Sequence, residues 1–121
     1  MDKKIISKSA FYYTLILIIL SLVPLPDLGV PKFKLFEIDK LVHFSMYTIF
    51  TIIWGLKNDN KTKILIFSIL FSLGLEILQH ILPFGRYFDW ADFIANSSGV
   101  LFGTIILFYL KKKIILANDE N

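Results

Sequence analysis

The sequence predicts an all-α integral membrane protein, a bundle of four transmembrane helices. Three observations predict it. Hydrophobic residues make up 55% of the 121-residue chain and mean hydropathy is +0.65, more apolar surface than a soluble domain of this size can hide. The charged residues are 19% of the total and cluster between apolar runs. Those runs, at about 9–23, 41–56, 64–82 and 93–110, approach the ~20 residues that cross a hydrocarbon core of ~30 Å. The whole chain, 1–121, reads as one membrane domain. Its net charge of +3 comes from lysines flanking apolar runs, with no basic patch interleaved with aromatics, so no nucleic-acid partner is expected. With no cysteine, disulfides, thiolate metal sites and cysteine nucleophiles are excluded.

Taken in order, Lys3, Lys4 and Lys8 precede the first run, Ala10–Val23, which Ile5 and Ile6 can lengthen. A basic start before an apolar core resembles a signal peptide. Ser21-Leu22-Val23 leads into Pro24 with no small-x-small cleavage site, so an uncleaved first span is expected. Pro24, Pro26 and Pro31 then break regular helix. Pro24–Lys40 reads as a loop in which Phe33, Leu35, Phe36 and Ile38 alternate with charges, as in a segment lying at the membrane interface. The second run, Leu41–Leu56, is the shortest and carries His43, Ser45, Tyr47, Thr48 and Thr51. Lys57–Lys63 is a polar turn. Ile64–Leu82 is the third run. A Pro83-x-Gly85-Arg86 turn follows, and Phe93–Leu110 is the fourth run, closed by Lys111–Lys113.

The basic residues set an orientation. Nine lysines (3, 4, 8, 57, 61, 63, 111, 112 and 113) fall on one side; Lys32, Lys34, Lys40 and Arg86 fall on the other. The richer side is expected to be cytoplasmic, with both termini inside and the loops 24–40 and 83–92 outside.

Polar residues recur at helical spacing. Asp39, His43, Tyr47 and Thr51 are four apart and share one face; Glu76, Gln79 and His80 share another; Asp92, Asn96, Gly99 and Gly103 form a third. The predicted topology brings these stripes to one depth, in the outer third of the bilayer. A charge at the bilayer centre costs about 2.5–3.5 kcal/mol on insertion scales, so these groups should face one another or a water-filled cavity. Two readings follow. The residues are structural glue, with pairs such as Glu76 and His43 or Arg86 locking the bundle, or they line a pocket open to the outside. Their convergence at one depth favours the pocket, with Asp39, His43, Tyr47, Glu76, Gln79, Arg86, Asp89, Asp92 and Asn96 as ligand-binding residues. His80, near the membrane edge, fits an interfacial role as well as a pocket one. Gly99-x-x-x-Gly103 fits close helix packing, and Phe67, Phe71, Phe102 and Phe108 fit lipid or core contact. Glu76-x-x-x-His80 with His43 and Asp92 offers zinc ligands by type, but His-Glu-x-x-His is absent, and no metal or cofactor is expected. No catalytic residues are assigned. Gly-x-Ser-x-Gly and phosphate-binding glycine loops are absent, although a Glu/His/Asp acid–base site is chemically feasible.

The chain resembles the VanZ-like family of small bacterial membrane proteins. The matching pieces are Asp39-Lys40-Leu41-Val42-His43-Phe44 with Tyr47, Glu76-x-x-Gln79, Pro83-x-Gly85-Arg86-x-x-Asp89-x-x-Asp92, and Asn96-x-x-Gly99-x-x-x-Gly103. They cover residues 39–103, about half the chain. The family is named for a protein associated with resistance to the glycopeptide antibiotic teicoplanin. The resemblance implies a multi-pass protein of the bacterial cytoplasmic membrane with a role at the cell envelope and a link to glycopeptide resistance. The expected partners are the lipid bilayer and an envelope lipid or peptidoglycan precursor. A small enzyme modifying an envelope lipid, with Glu76 or His43 as base, and a structural or assembly protein are the alternatives.

Overall fold

The computed structural model describes residues 2–24, 29 and 31–120, with the backbone alone at 32, 35 and 36. They form α1 (Lys3–Leu22), α2 (Lys32–Lys57), α3 (Lys61–Ile81) and α4 (Trp90–Asp119). α1, α3 and α4 are long and apolar enough to cross a membrane.

Local chemistry sets the starts. Asp2, Asn60 and Asp89 cap α1, α3 and α4, accepting from the amides of Lys4, Lys63 and Ala91 at 2.9, 3.0 and 2.8 Å. Each satisfies an amide that a first turn leaves without a partner. Inside the helices, hydroxyls fold back on the preceding turn. Thr14, Ser45, Thr48, Thr51, Ser98 and Thr104 each donate to the carbonyl four residues earlier at 2.7–2.8 Å. Each hydroxyl is thereby satisfied by its own helix.

Two boundaries differ from the sequence expectation. The segment expected as an interfacial loop up to Lys40 is helical from Lys32. Its three prolines all precede that point, and Pro31 stands at the N-cap, where a ring without N–H costs nothing. Positions 25–28 and 30 of the expected loop lie outside the described residues. The fourth helix does not stop at Leu110 but runs to Asp119. Lysine is a good helix former whose stem snorkels, and neither Pro nor Gly follows Lys113.

α2 is the centre of the bundle. It packs on all three other helices, most extensively on α4, and its polar stripe faces them. Its outward residues, such as Leu41 and Ile49, are apolar and exposed. The close α2–α4 approach rests on small residues. A Cβ at Gly103 would stand 2.7 Å from the Thr48 carbonyl oxygen, and one at Gly99 would overlap the carbonyl of Phe44. Thr48 Oγ1 also donates to the Gly99 carbonyl at 3.1 Å. The expected packing role of Gly99 and Gly103 is what the geometry shows. The apolar core is Leu17, Tyr47, Phe50, Leu75 and Val100. Phe50 stacks on Phe71 at 4.9 Å and on Phe67 at 6.0 Å, whereas Phe102 and Phe108 are about half exposed.

Candidate functional site

The polar stripes meet above that core, at the end of the bundle that carries the α3–α4 loop. α2 presents Asp39, Lys40 and His43. α3 presents Glu76. α4 presents Asp92 and Asn96, and the loop adds Arg86 and Asp89. Glu76, Asp92 and Asn96 are 1–4% exposed and His43 is 4% exposed, so their partners decide whether they are tolerated.

One chain of hydrogen bonds runs inward. Asn96 Nδ2 donates to Glu76 Oε1 at 3.0 Å. This leaves Asn96 Oδ1 as acceptor for His43 Nδ1 at 2.8 Å. The network therefore makes His43 Nδ1 a donor, and Nε2 lies 3.4 Å from Arg86 Nη2 and 3.6 Å from Asp39. Arg86 is fastened by a 3.1 Å bond to the Val23 carbonyl and stands 3.8 Å from Asp39. Gly85 makes that reach feasible, because its φ of 78° reverses the loop in a conformation that L residues rarely adopt.

A second set of contacts centres on Lys40. Its Nζ lies 2.9 Å from Asp89 and 3.5 Å from Asp39 and bonds Asp92 at close range. Burial works against ionisation of Asp89. The bonds from Lys40 Nζ and the Ala91 amide more than offset it and hold the Asp89 carboxyl below the usual range. Both cations of the site are thus engaged with groups of the chain itself. Asp39, His43 and Asp92 place ligand atoms within 4.8 Å of one another. A metal ion there would have to displace Lys40 and Arg86, which stand against the same carboxylates.

The network leaves buried acceptors and hydroxyls without protein partners, among them Glu76 Oε2, Gln79 Oε1, Tyr47 Oη and Ser21 Oγ. A cavity of about 110 Å³ opens beside it, lined by Ser21, Asp39, Val42, His43, Met46 and Arg86.

Of the residues expected from sequence, Asp39, His43, Glu76, Arg86, Asp89, Asp92 and Asn96 are joined in this network. Gln79 is buried but turns to α1, where its amide donates to the Ser21 carbonyl. Tyr47 lies in the apolar core beneath. His80 is exposed, its ring 6.3 Å from that of Tyr87, so it stands apart from Glu76 and His43. Two contributors escaped the sequence reading. Lys40 carries a legible signal, because 40, 43 and 47 share a face once the helix is extended back through Asp39. Ser21 is the last of the stripe Ala10, Leu17, Ser21 that buries α1.

A helical membrane protein with a buried polar network joining three helices is the class this geometry defines. The chain belongs to the VanZ/LLP1 family, whose model matches residues 3–112. No curated protein and no solved structure matches it.

Proposed function

We propose that the chain is a multi-pass protein of the bacterial cytoplasmic membrane whose polar cluster binds a polar headgroup, a peptidoglycan precursor or a glycopeptide at the outer face. Family membership fits a cell-envelope membrane protein linked to glycopeptide resistance. In this reading α2 is the fourth span. Packed on the three other helices, it can cross with a polar stripe that would be too costly against lipid. The excess of basic residues on one side supports an orientation with both termini in the cytoplasm and the α3–α4 loop outside.

The observation that carries the reading is a small cavity walled by Ser21, Asp39, His43 and Arg86, where Ser21 Oγ has no protein partner, beside a network in which Glu76 Oε2 also has none. Pure structural glue would satisfy its own hydrogen bonds. A ligand hydroxyl or ammonium supplies the donors that Glu76 and Asp39 accept, and Arg86 retains further N–H groups for a phosphate or carboxylate. Glu76→Gln and Arg86→Ala should each abolish the change in teicoplanin susceptibility that the chain confers, with membrane abundance unchanged on immunoblots. Full activity in both variants would defeat the proposal. Cysteines at 43, 76 and 96, in a chain with none of its own, should react with an impermeant thiol reagent added outside the cell.

A second reading, a small enzyme acting on an envelope lipid, draws on His43. The Glu76–Asn96–His43 chain makes Nδ1 a donor and leaves Nε2 as the ring nitrogen open to proton transfer, in a side chain that lines the cavity. Lipid profiles of a deletion strain test it, and an unchanged profile would rule it out.

A further inference from the structure

The opposite end of the bundle holds a second, unrelated feature. α4 is 30 residues long, roughly 45 Å at 1.5 Å per residue, against a hydrocarbon core of about 30 Å. Its last turns therefore pass beyond the core, and there they carry Lys111 and Lys112 beside exposed Ile115 and Leu116. The α2–α3 turn and the start of α3 stand against them.

Between them lies a cavity of about 460 Å³. Its polar wall is Lys61, Lys111, Lys112 and Asp59, three cations against one anion. Its apolar wall is Phe108, Ile115 and Leu116. The basic wall is partly built in place. Lys61 Nζ sits 4.3 Å over the Phe108 ring. Lys111 is held 3.5 Å from Asp59 and donates to the Asn58 carbonyl. Two adjoining cavities extend the basic collar around Asp59 to Lys3 and Lys57. The amide end of α3 contributes positive potential on the same side.

We infer that this cavity is a binding site for an anionic phospholipid, with the phosphodiester between Lys61 and Lys112 and an acyl chain along Phe108, Ile115 and Leu116. The excess of positive charge excludes a cationic ligand. The apolar wall at the end of a membrane-spanning helix fits a lipid better than a soluble anion. Basic pockets between helices at a membrane surface are sites where acidic headgroups gain most. The volume, many times the ~30 Å³ of one water, accommodates a headgroup with its first chain carbons.

Native mass spectrometry of the full chain in detergent tests this, with phosphatidylglycerol and phosphatidylcholine as probes. Phosphatidylglycerol should be retained preferentially, and K61Q/K112Q should lower that preference about fivefold per lysine removed. Lys111 is left intact because it also ties down the α2–α3 turn. Asp59→Asn should raise the preference, whichever way the lysine variant folds. Equal retention of the two lipids, or an Asp59→Asn variant no more selective than the parent, would overturn the inference. So would a preference lost in Lys34→Gln instead, since that places the anion at the other end. Inorganic phosphate competing as well as the lipid would show a soluble-anion site and equally overturn it. The outer polar cluster takes no part in any of these outcomes.

Discussion

Lys40 gathers three carboxylates of the polar network. It is the cation for Asp89 and Asp92 and neighbours Asp39, and the Asp92 carboxylate is 5% exposed. Removing one partner of a buried pair leaves an uncompensated charge, at about 3–5 kcal/mol. Lys40→Met should therefore lower Tm in detergent sharply, and the double variant Lys40→Met/Asp92→Asn should recover part of the loss. An additive double variant would show that the two residues do not act together. Asp89 gives the pH dependence a sign. Its folded pKa is depressed, so its contribution is present above its unfolded value of about 4 and is lost as pH falls through the lower folded value. Between about pH 5 and 3, Tm of Asp89→Asn should fall less than that of the parent. At this scale much was legible in the sequence. Asp39 and His43, Glu76, and Asp92 with Asn96 are found by four-residue spacing alone. Lys40 was hidden because a lysine beside an apolar run usually marks a membrane boundary. Ser21 was hidden because one hydroxyl in a greasy helix ordinarily bonds its own backbone. Neither spacing nor residue type tells that Ser21 Oγ has no such partner.

The helices owe their positions to hydropathy and their contacts to small residues. Gly99→Ala would drive a methyl group into the Phe44 carbonyl, a backbone atom that cannot rotate away. Overpacking of this kind costs on the order of 1–3 kcal/mol, so Tm should fall, while Gly74→Ala, with open space at that Cβ, should leave Tm unchanged or raised. Equal effects at both positions would contradict the close-packed α2–α4 pair. The four helices were visible as four apolar runs, but their ends were not. Charge marks where a helix leaves the membrane, not where it stops, so α4 runs nine residues past Leu110. Likewise Pro24, Pro26 and Pro31 forbid helix only up to Pro31, and the charged stretch after them is helical. α2 has the weakest hydropathy signal because partners, not lipid, cover its polar face.

At the scale of the molecule the two ends divide their chemistry. The α3–α4 loop end concentrates carboxylates, His43 and Arg86, while the other end carries lysines around Asp59. α2 and α4, locked by glycine contacts, form a spine of fixed register. α1 and α3 pack on it over smaller contacts. That difference has a mechanical consequence. A bilayer thinner than the spine demands tilt or local deformation of the lipid, and the locked pair cannot slide to relieve the mismatch. Adjustment falls to α1 and α3, which bring Ser21 to the cavity and Glu76 to the polar cluster. Membrane thickness is then expected to act on the cavity beside His43 through α1, whose Ser21 lines it. Thiol accessibility at position 43, on the cavity wall, should then shift between short-chain and long-chain phosphatidylcholine vesicles, and an unchanged accessibility would contradict this.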